Sequence, residues 1–166
     1  LLRRIHHLLF FILPIVFFVI APSKGSGAEQ TDNPIEAGTV RWNNNYEGAL
    51  YESARTGKPI FLLFQEVPGC IGCQNFGKDV LSNPLLVEAI ENEFLPVLVY
   101  NNSVGDEDAD LLQRFNEPSW NFQVIRFLDA EGKDIIPRRD KIWSLAGVAA
   151  RMVEALNVIN RPVPLY

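Results

Sequence analysis

The only two cysteines of this chain stand three residues apart, as Cys70-Ile71-Gly72-Cys73, just after the apolar run Ile60-Phe61-Leu62-Leu63-Phe64 and a short loop. That placement constrains the fold more than any other feature. A five-residue run that is apolar on both faces reads as a central strand covered by helices on each side. A cysteine pair spaced i, i+3 just beyond it reads as the opening turn of a helix. There the two side chains share one face and can meet.

Other elements follow from their boundaries. Asn44 or Asn45 can cap a helix over Tyr46–Thr56, where Tyr46, Leu50 and Ala54 recur at i+4 and Gly57 stops it. Ser82-Asn83-Pro84 ends the cysteine helix and starts another running to about Glu93, because proline suits a first helical position. Residues 39–42, 94–100, 122–128 and 134–136 read as strands, with Asp129-Ala130-Glu131-Gly132 as a turn. Residues 106–115 and 142–160 read as helices, and Pro162 and Pro164 prevent continuation. Alternating strands and helices, followed by a hairpin and a last helix, predict an α/β fold: a three-layer sandwich around a central mixed sheet.

The first residues are of a different kind. Arg3 and Arg4 precede an apolar run over 8–21, broken by Pro14, and then Pro22-Ser23-Lys24-Gly25-Ser26-Gly27-Ala28. This is the layout of a signal peptide over residues 1–28, cut before Glu29. A retained membrane anchor is the competing reading, although 14 apolar residues are short for a span of about 20. The expected organisation is therefore a leader 1–28, a linker 29–38, one domain 39–160 and a tail 161–166. Three of the fifteen basic side chains (Arg3, Arg4, Lys24) and none of the twenty acidic ones fall in the leader, leaving twelve against twenty, a net −8. An acidic surface with no basic stripe argues against nucleic acid or anionic lipid as partners. Both histidines, His6 and His7, also lie in the leader, so the domain has no imidazole for base catalysis or metal binding. Export would place the cysteines in an oxidising compartment, periplasmic or extracellular.

A cysteine at a helix N-terminus meets unpaired N–H groups and the positive end of the helix dipole, which favour the thiolate. Cys70 occupies that position and Cys73 lies one turn deeper. Cys70 is thus the expected nucleophile or exposed sulfur, and Cys73 the sulfur that resolves a mixed disulfide, the pair closing as Cys70–Cys73. Glu66, if close, would raise the Cys70 pKa, and only a moderate lowering is expected. Three other readings compete. A purely structural disulfide would close so small a loop that it constrains the unfolded chain little. Zinc would need two more soft ligands, which a single chain lacks. Two thiolates suit Cu(I), so copper handling is the alternative in another class, alongside an interaction module that no longer turns over. The expectation is of no cofactor and no resident metal.

The chain resembles the thioredoxin superfamily, in its exported branch. The residues that carry the resemblance are Trp42, the stretch Ala49-Leu50-Tyr51-Glu52-Ser53-Ala54-Arg55-Thr56-Gly57-Lys58-Pro59, the strand 60–64, the cysteine pair, and Phe127-Leu128-Asp129-Ala130-Glu131-Gly132. It covers about residues 39–160 and implies disulfide reductase, oxidase or isomerase activity on protein substrates, with Cys70 as nucleophile and Cys73 as resolver. Two departures stand out. Where the family places a cis-proline beside the cysteines, this chain has no proline; the site falls near Gln123, whose peptide is expected to be trans. Where many members bury an acid, six residues before the first cysteine, this chain has Phe64. Proton transfer from Cys73 would then need Glu66, a water or the substrate. Val67-Pro68-Gly69 are expected to shape the loop before the nucleophile, so Pro68, Gly69, Trp120 and Gln123 are candidate substrate contacts. A reductase outside the cytoplasm needs an electron donor, here expected to be a membrane thiol shuttle; the protein is expected to be a monomer.

Remaining features read as structural. Asp106, Asp108, Asp110 and Glu117 have EF-hand-like spacing, but Leu111 stands where glycine makes the turn; acids at a helix start explain them better. Asn101-Asn102-Ser103 spells a glycosylation sequon, Arg138-Arg139 with Lys141 reads as a solvated turn, and Trp42 and Trp143 read as packing residues.

Overall fold

The computed structural model of the chain describes residues 32–119 and 123–164. The leader 1–28 and Trp120 therefore lie outside the described residues, as does the peptide bond entering Gln123. A 3-10 helix, Ile35–Ala37, comes first. It is followed by α1 (Tyr46–Thr56), β1 (Ile60–Gln65), α2 (Ile71–Asp79), α3 (Pro84–Glu93), β2 (Leu95–Tyr100), α4 (Glu107–Phe115), β3 (Val124–Leu128) and α5 (Leu145–Val158). The sheet order is β2-β1-β3; β1 runs parallel to β2, with Ile60 opposite Leu95, and antiparallel to β3, with Ile60 opposite Leu128.

The strand alternation of β1 explains the layers. Phe61 and Leu63 point into one cluster with Phe76, Leu86, Ile90, Phe94, Phe127, Val148 and Met152, so α2, α3 and α5 cover that face. Ile60, Leu62 and Phe64 point into the other, with Tyr46, Ala49 and Leu112 from α1 and α4. All six residues of β1 are buried, as expected of a strand covered twice. Phe61, Phe94 and Phe127 meet edge to face at 5.5–6.1 Å, filling the larger core with ring contacts. The predicted three-layer α/β sandwich with a mixed sheet is the fold observed.

Capping chemistry sets the helix starts. Asn45 accepts from Gly48 N, Asn83 from Leu85 N and Leu86 N ahead of Pro84, Asp106 from Ala109 N, and Ser144 from Gly147 N. The acids of α4 are used structurally: Asp106 is the cap and Asp108 accepts from Tyr100 N at 2.9 Å. Asn101 of the sequon is fully buried, closed to a glycan in the folded protein.

Several expectations are corrected. Residues 39–42 form no strand; one isolated bridge, Asn43 to Val97, is made instead. Trp42 is turned inward, its Nε1 donating to Ala37 O, so the segment leaves the sheet edge after one pair. Of residues 134–136 only Asp134 makes a bridge, to Leu128, and a second isolated bridge joins Ile125 to Arg139 beyond them. Pro137, between the two bridges, has no N–H to continue a ladder. Gln65, read as loop, is the last residue of β1. Ile35–Ala37, read as linker, form the 3-10 helix packed on α2, with Ala37 fully buried. A Cβ on Gly77 would sit 1.9 Å from Ile35 O, so this contact requires glycine in α2. Arg138 is half-buried rather than free in solvent: it pairs with Glu117 through Nε at 2.7 Å and Nη2 at 2.8 Å.

Candidate functional site

The chain leaves β1 at Gln65, crosses the loop Glu66-Val67-Pro68-Gly69, and enters α2 with Cys70 as its N-cap. The Val67–Pro68 bond is cis. Cys70 keeps extended backbone angles, and its exposed side chain leaves the sulfur open to solvent. Gly69 lets the loop come close: a Cβ there would lie 2.4 Å from Glu66 O and 2.6 Å from Cys73 Cβ.

Buried polar groups hold the loop. Glu36, on the 3-10 helix, accepts from Gly69 N at 2.9 Å. Gln65 Nε2 donates to Glu36 O at 2.8 Å and to Cys73 O at 3.2 Å. Gln74 Nε2 donates to Gly69 O at 3.3 Å. The 3-10 helix, the end of β1 and the first turn of α2 are thereby tied together around the cysteines.

The two sulfurs are free and 3.3 Å apart. Cys70 is exposed and Cys73 is fully buried. Their acidities diverge accordingly. The backbone N–H of Cys73 and then its thiol stabilise the Cys70 thiolate, holding its pKa below that of an ordinary thiol; Glu66 opposes this only weakly. Burial, and then the hydrogen bond with Cys70, push the Cys73 thiol up to about 12. The Glu66 carboxylate sits beside both: Oε2 is 3.6 Å from Cys73 Sγ and accepts from Cys70 N at 3.4 Å. Phe64 occupies the place of a buried acid and packs fully buried against Phe115. Among the described residues, Glu66 is the carboxylate hydrogen-bonded to Cys73 Sγ.

A cleft of about 300 Å³ opens beside Cys70, with Phe76 and Val80 as apolar lining, Asp79 and Asn75 as polar lining, and Trp143 and Gln123 from beyond the helix. Gln123 is buried, takes a left-handed backbone (φ 41°), and its Nε2 has no hydrogen-bond partner among the described residues. Trp143, read as packing from sequence, is half exposed and lines this cleft, whereas Trp42 does pack, against Phe61. Pro68 is exposed on the loop and is not part of the cleft. Sequence reasoning missed Glu36, Gln65 and Trp143. Glu36 and Trp143 reach the site only through the packing of distant segments, and Gln65, though close in sequence, follows an apolar run that gives no sign of its buried amide.

Comparison with known proteins agrees with this architecture. The model of a family described as thioredoxin-like matches residues 41–130, and the chain belongs to that family. A solved DsbH oxidoreductase is 24% identical, with 82% of this chain and 95% of that one covered at a TM-score of 0.58. A thioredoxin from Thermus thermophilus is 20% identical, with 69% of this chain and 85% of that one covered at a TM-score of 0.53. At these identities both show a shared fold. No curated protein matches the chain.

Proposed function

We propose that this protein is a thiol–disulfide oxidoreductase acting on protein disulfides outside the cytoplasm. One observation carries the reading: an exposed Cys70 with a lowered pKa lies 3.3 Å from a buried Cys73. In the reductive direction, the Cys70 thiolate attacks one sulfur of a substrate disulfide. The S–S bond breaks, the other substrate sulfur leaves as thiolate, and a mixed disulfide joins Cys70 to the substrate. Cys73 then attacks Cys70 Sγ, giving its proton to Glu66. The second substrate sulfur leaves, and the pair is left as the Cys70–Cys73 disulfide. Two electrons have passed to the substrate. A reducing dithiol, for which a membrane thiol shuttle is the proposed partner, must return them.

The cleft is the proposed docking place for the substrate chain. Gln123 Nε2, buried with no acceptor among the described residues, suits a substrate carbonyl, and Trp143 offers apolar surface. Pro68 and Gly69 shape the loop on the other side of the sulfur. Residues 1–28 are proposed to direct export to the periplasm or outside the cell, as a cleaved leader or as an anchor, and the protein is proposed to act as a monomer. N-terminal sequencing of the exported protein distinguishes leader from anchor.

Insulin reduction by dithiothreitol tests the activity. Wild type should accelerate it and Cys70→Ser should not. Equal rates for the two would reject the enzyme in favour of a module that no longer turns over.

A further inference from the structure

The sequence offers only two soft ligands, which is too few for a zinc site. The fold supplies a third donor. Glu66, Cys70 and Cys73 bring one carboxylate oxygen and two sulfurs within 4.8 Å of one another. We propose that the reduced protein binds one borderline divalent cation, of which Zn²⁺ is the type, on Cys70 Sγ, Cys73 Sγ and the Glu66 carboxylate.

The separations suit this. Bond lengths of about 2.3 Å to sulfur and about 2.0–2.2 Å to oxygen place the corners of a tetrahedron roughly 3.5–3.8 Å apart. The sulfurs are 3.3 Å apart, and Cys73 Sγ lies 3.6 Å from Glu66 Oε2. Two of the three edges are thus within a few tenths of an ångström of their tetrahedral lengths, and the third, Cys70 Sγ to the Glu66 carboxylate, lies within 4.8 Å and must shorten as the ion binds. The carboxylate is already steered to the spot, because Oε2 also accepts from Cys70 N. Gly69 keeps room for the loop to fold over the sulfurs, where a side chain would strike Glu66 O and Cys73. With Cys70 exposed, the fourth corner opens outward, to water or a further ligand.

Donor chemistry selects the ion. Two thiolates and one carboxylate are a mixed soft and hard set, fitting Zn²⁺ or Co²⁺. Ca²⁺ and Mg²⁺ require oxygen ligands throughout. Cu(I) would use the sulfurs and gain little from the carboxylate. On binding, the ion displaces two protons from the thiols. When the pair passes two electrons to a protein disulfide, both ligand sulfurs join in the Cys70–Cys73 bond, the acceptor leaves as two thiolates that take up protons from water, and the cation is released. The site is thus present only in the dithiol state, and an occupied site blocks Cys70 as a nucleophile. The binding claim itself needs no turnover, so it stands apart from the oxidoreductase reading.

Metal titration of the full reduced chain, with Zn²⁺ against a chromophoric chelator and with Co²⁺ by absorption, tests it. One equivalent should bind, with a sulfur-to-cobalt charge-transfer band and the strong visible bands of four-coordinate cobalt. Glu66→Gln should keep both thiols free, as alkylation of the unfolded protein reads, yet weaken Zn²⁺ binding by on the order of tenfold or more, and the disulfide form should bind none. Absence of a cobalt–thiolate spectrum in wild type would overturn the proposal. So would Glu66→Gln binding Zn²⁺ as tightly as wild type, or a site that holds Cu(I) but not Zn²⁺. Insulin reduction measured in excess chelator reads the enzyme activity separately.

Discussion

At the scale of single residues, one helical turn divides two chemically identical side chains into a reactive and a protected thiol. Cys70 sits where backbone N–H groups stabilise negative charge, and Cys73 sits where burial opposes it. The expected consequence is ordered alkylation. In chelator-treated, reduced protein, iodoacetamide should modify Cys70 first, with half-maximal rate at a pH below that of a free thiol. Cys73 should stay unmodified through neutral pH and react only above it or on unfolding, as peptide mass mapping would read. Simultaneous modification of both would contradict the assigned asymmetry. If Cys73 resolves the mixed disulfide as proposed, Glu66→Gln should slow its release and leave the first attack on a small disulfide near wild type, because the carboxylate contacts the Cys73 sulfur. Rapid-mixing kinetics with quenching separate the two steps. The cysteines and Glu66 were legible because they lie within eight positions of sequence. Glu36 was not: its partner, Gly69 N, is 33 positions away.

At the scale of elements, the position of α2 depends on what packs against its last turn. The 3-10 helix touches α2 at Gly77 so closely that any side chain must push the two apart. Gly77→Ala should cost about 1–3 kcal/mol in denaturant unfolding, the range for overpacking a core. It should also perturb Cys70 reactivity, because the displaced helix carries Glu36 away from the cysteine loop. Unchanged stability and unchanged thiol reactivity would refute the coupling. Element boundaries were the most legible part of the fold: Asn45 and Asn83-Pro84 mark helix starts in the sequence, and Asp106, read as the first helical residue, is the cap one position before the helix. Pairing was the least legible. Residues 39–42 and 134–136 look like strands, yet an inward Trp42 and a donor-less Pro137 stop each ladder after single bridges.

At the scale of the whole molecule, one buried ionic cluster joins the segment before β3 to the segment after it. Arg126 on β3 bonds Glu117 through Nε at 2.9 Å, Asp134 at 2.6 Å and Phe115 O at 3.0 Å, and Arg138 adds its fork to Glu117. Burial pushes the Glu117 carboxyl up, but hydrogen bonds from Arg138 and Arg126 outweigh it and hold the pKa below the usual range. A depressed folded-state value means stability present above the unfolded pKa and lost as pH falls through the folded one. Glu117→Gln should therefore flatten the acid arm of the stability curve below about pH 4.5. Glu117→Ala should destabilise by about 3 kcal/mol at neutral pH, because it strips a buried arginine of a partner. Denaturant midpoints across pH read both. No spacing in the sequence marks this cluster; Arg126 sits among apolar residues in a strand, and only the sheet brings Glu117 and Arg138 to it.

The central claim is that Cys70 and Cys73 form one reversible two-electron couple. Equilibrating the protein in dithiothreitol redox buffers, then counting free thiols by alkylation and mass, tests it directly. Both thiols should disappear together as a single internal disulfide, with a midpoint between roughly −270 and −120 mV. Thiols that stay reduced across that range, or that oxidise separately as mixed adducts, would contradict it.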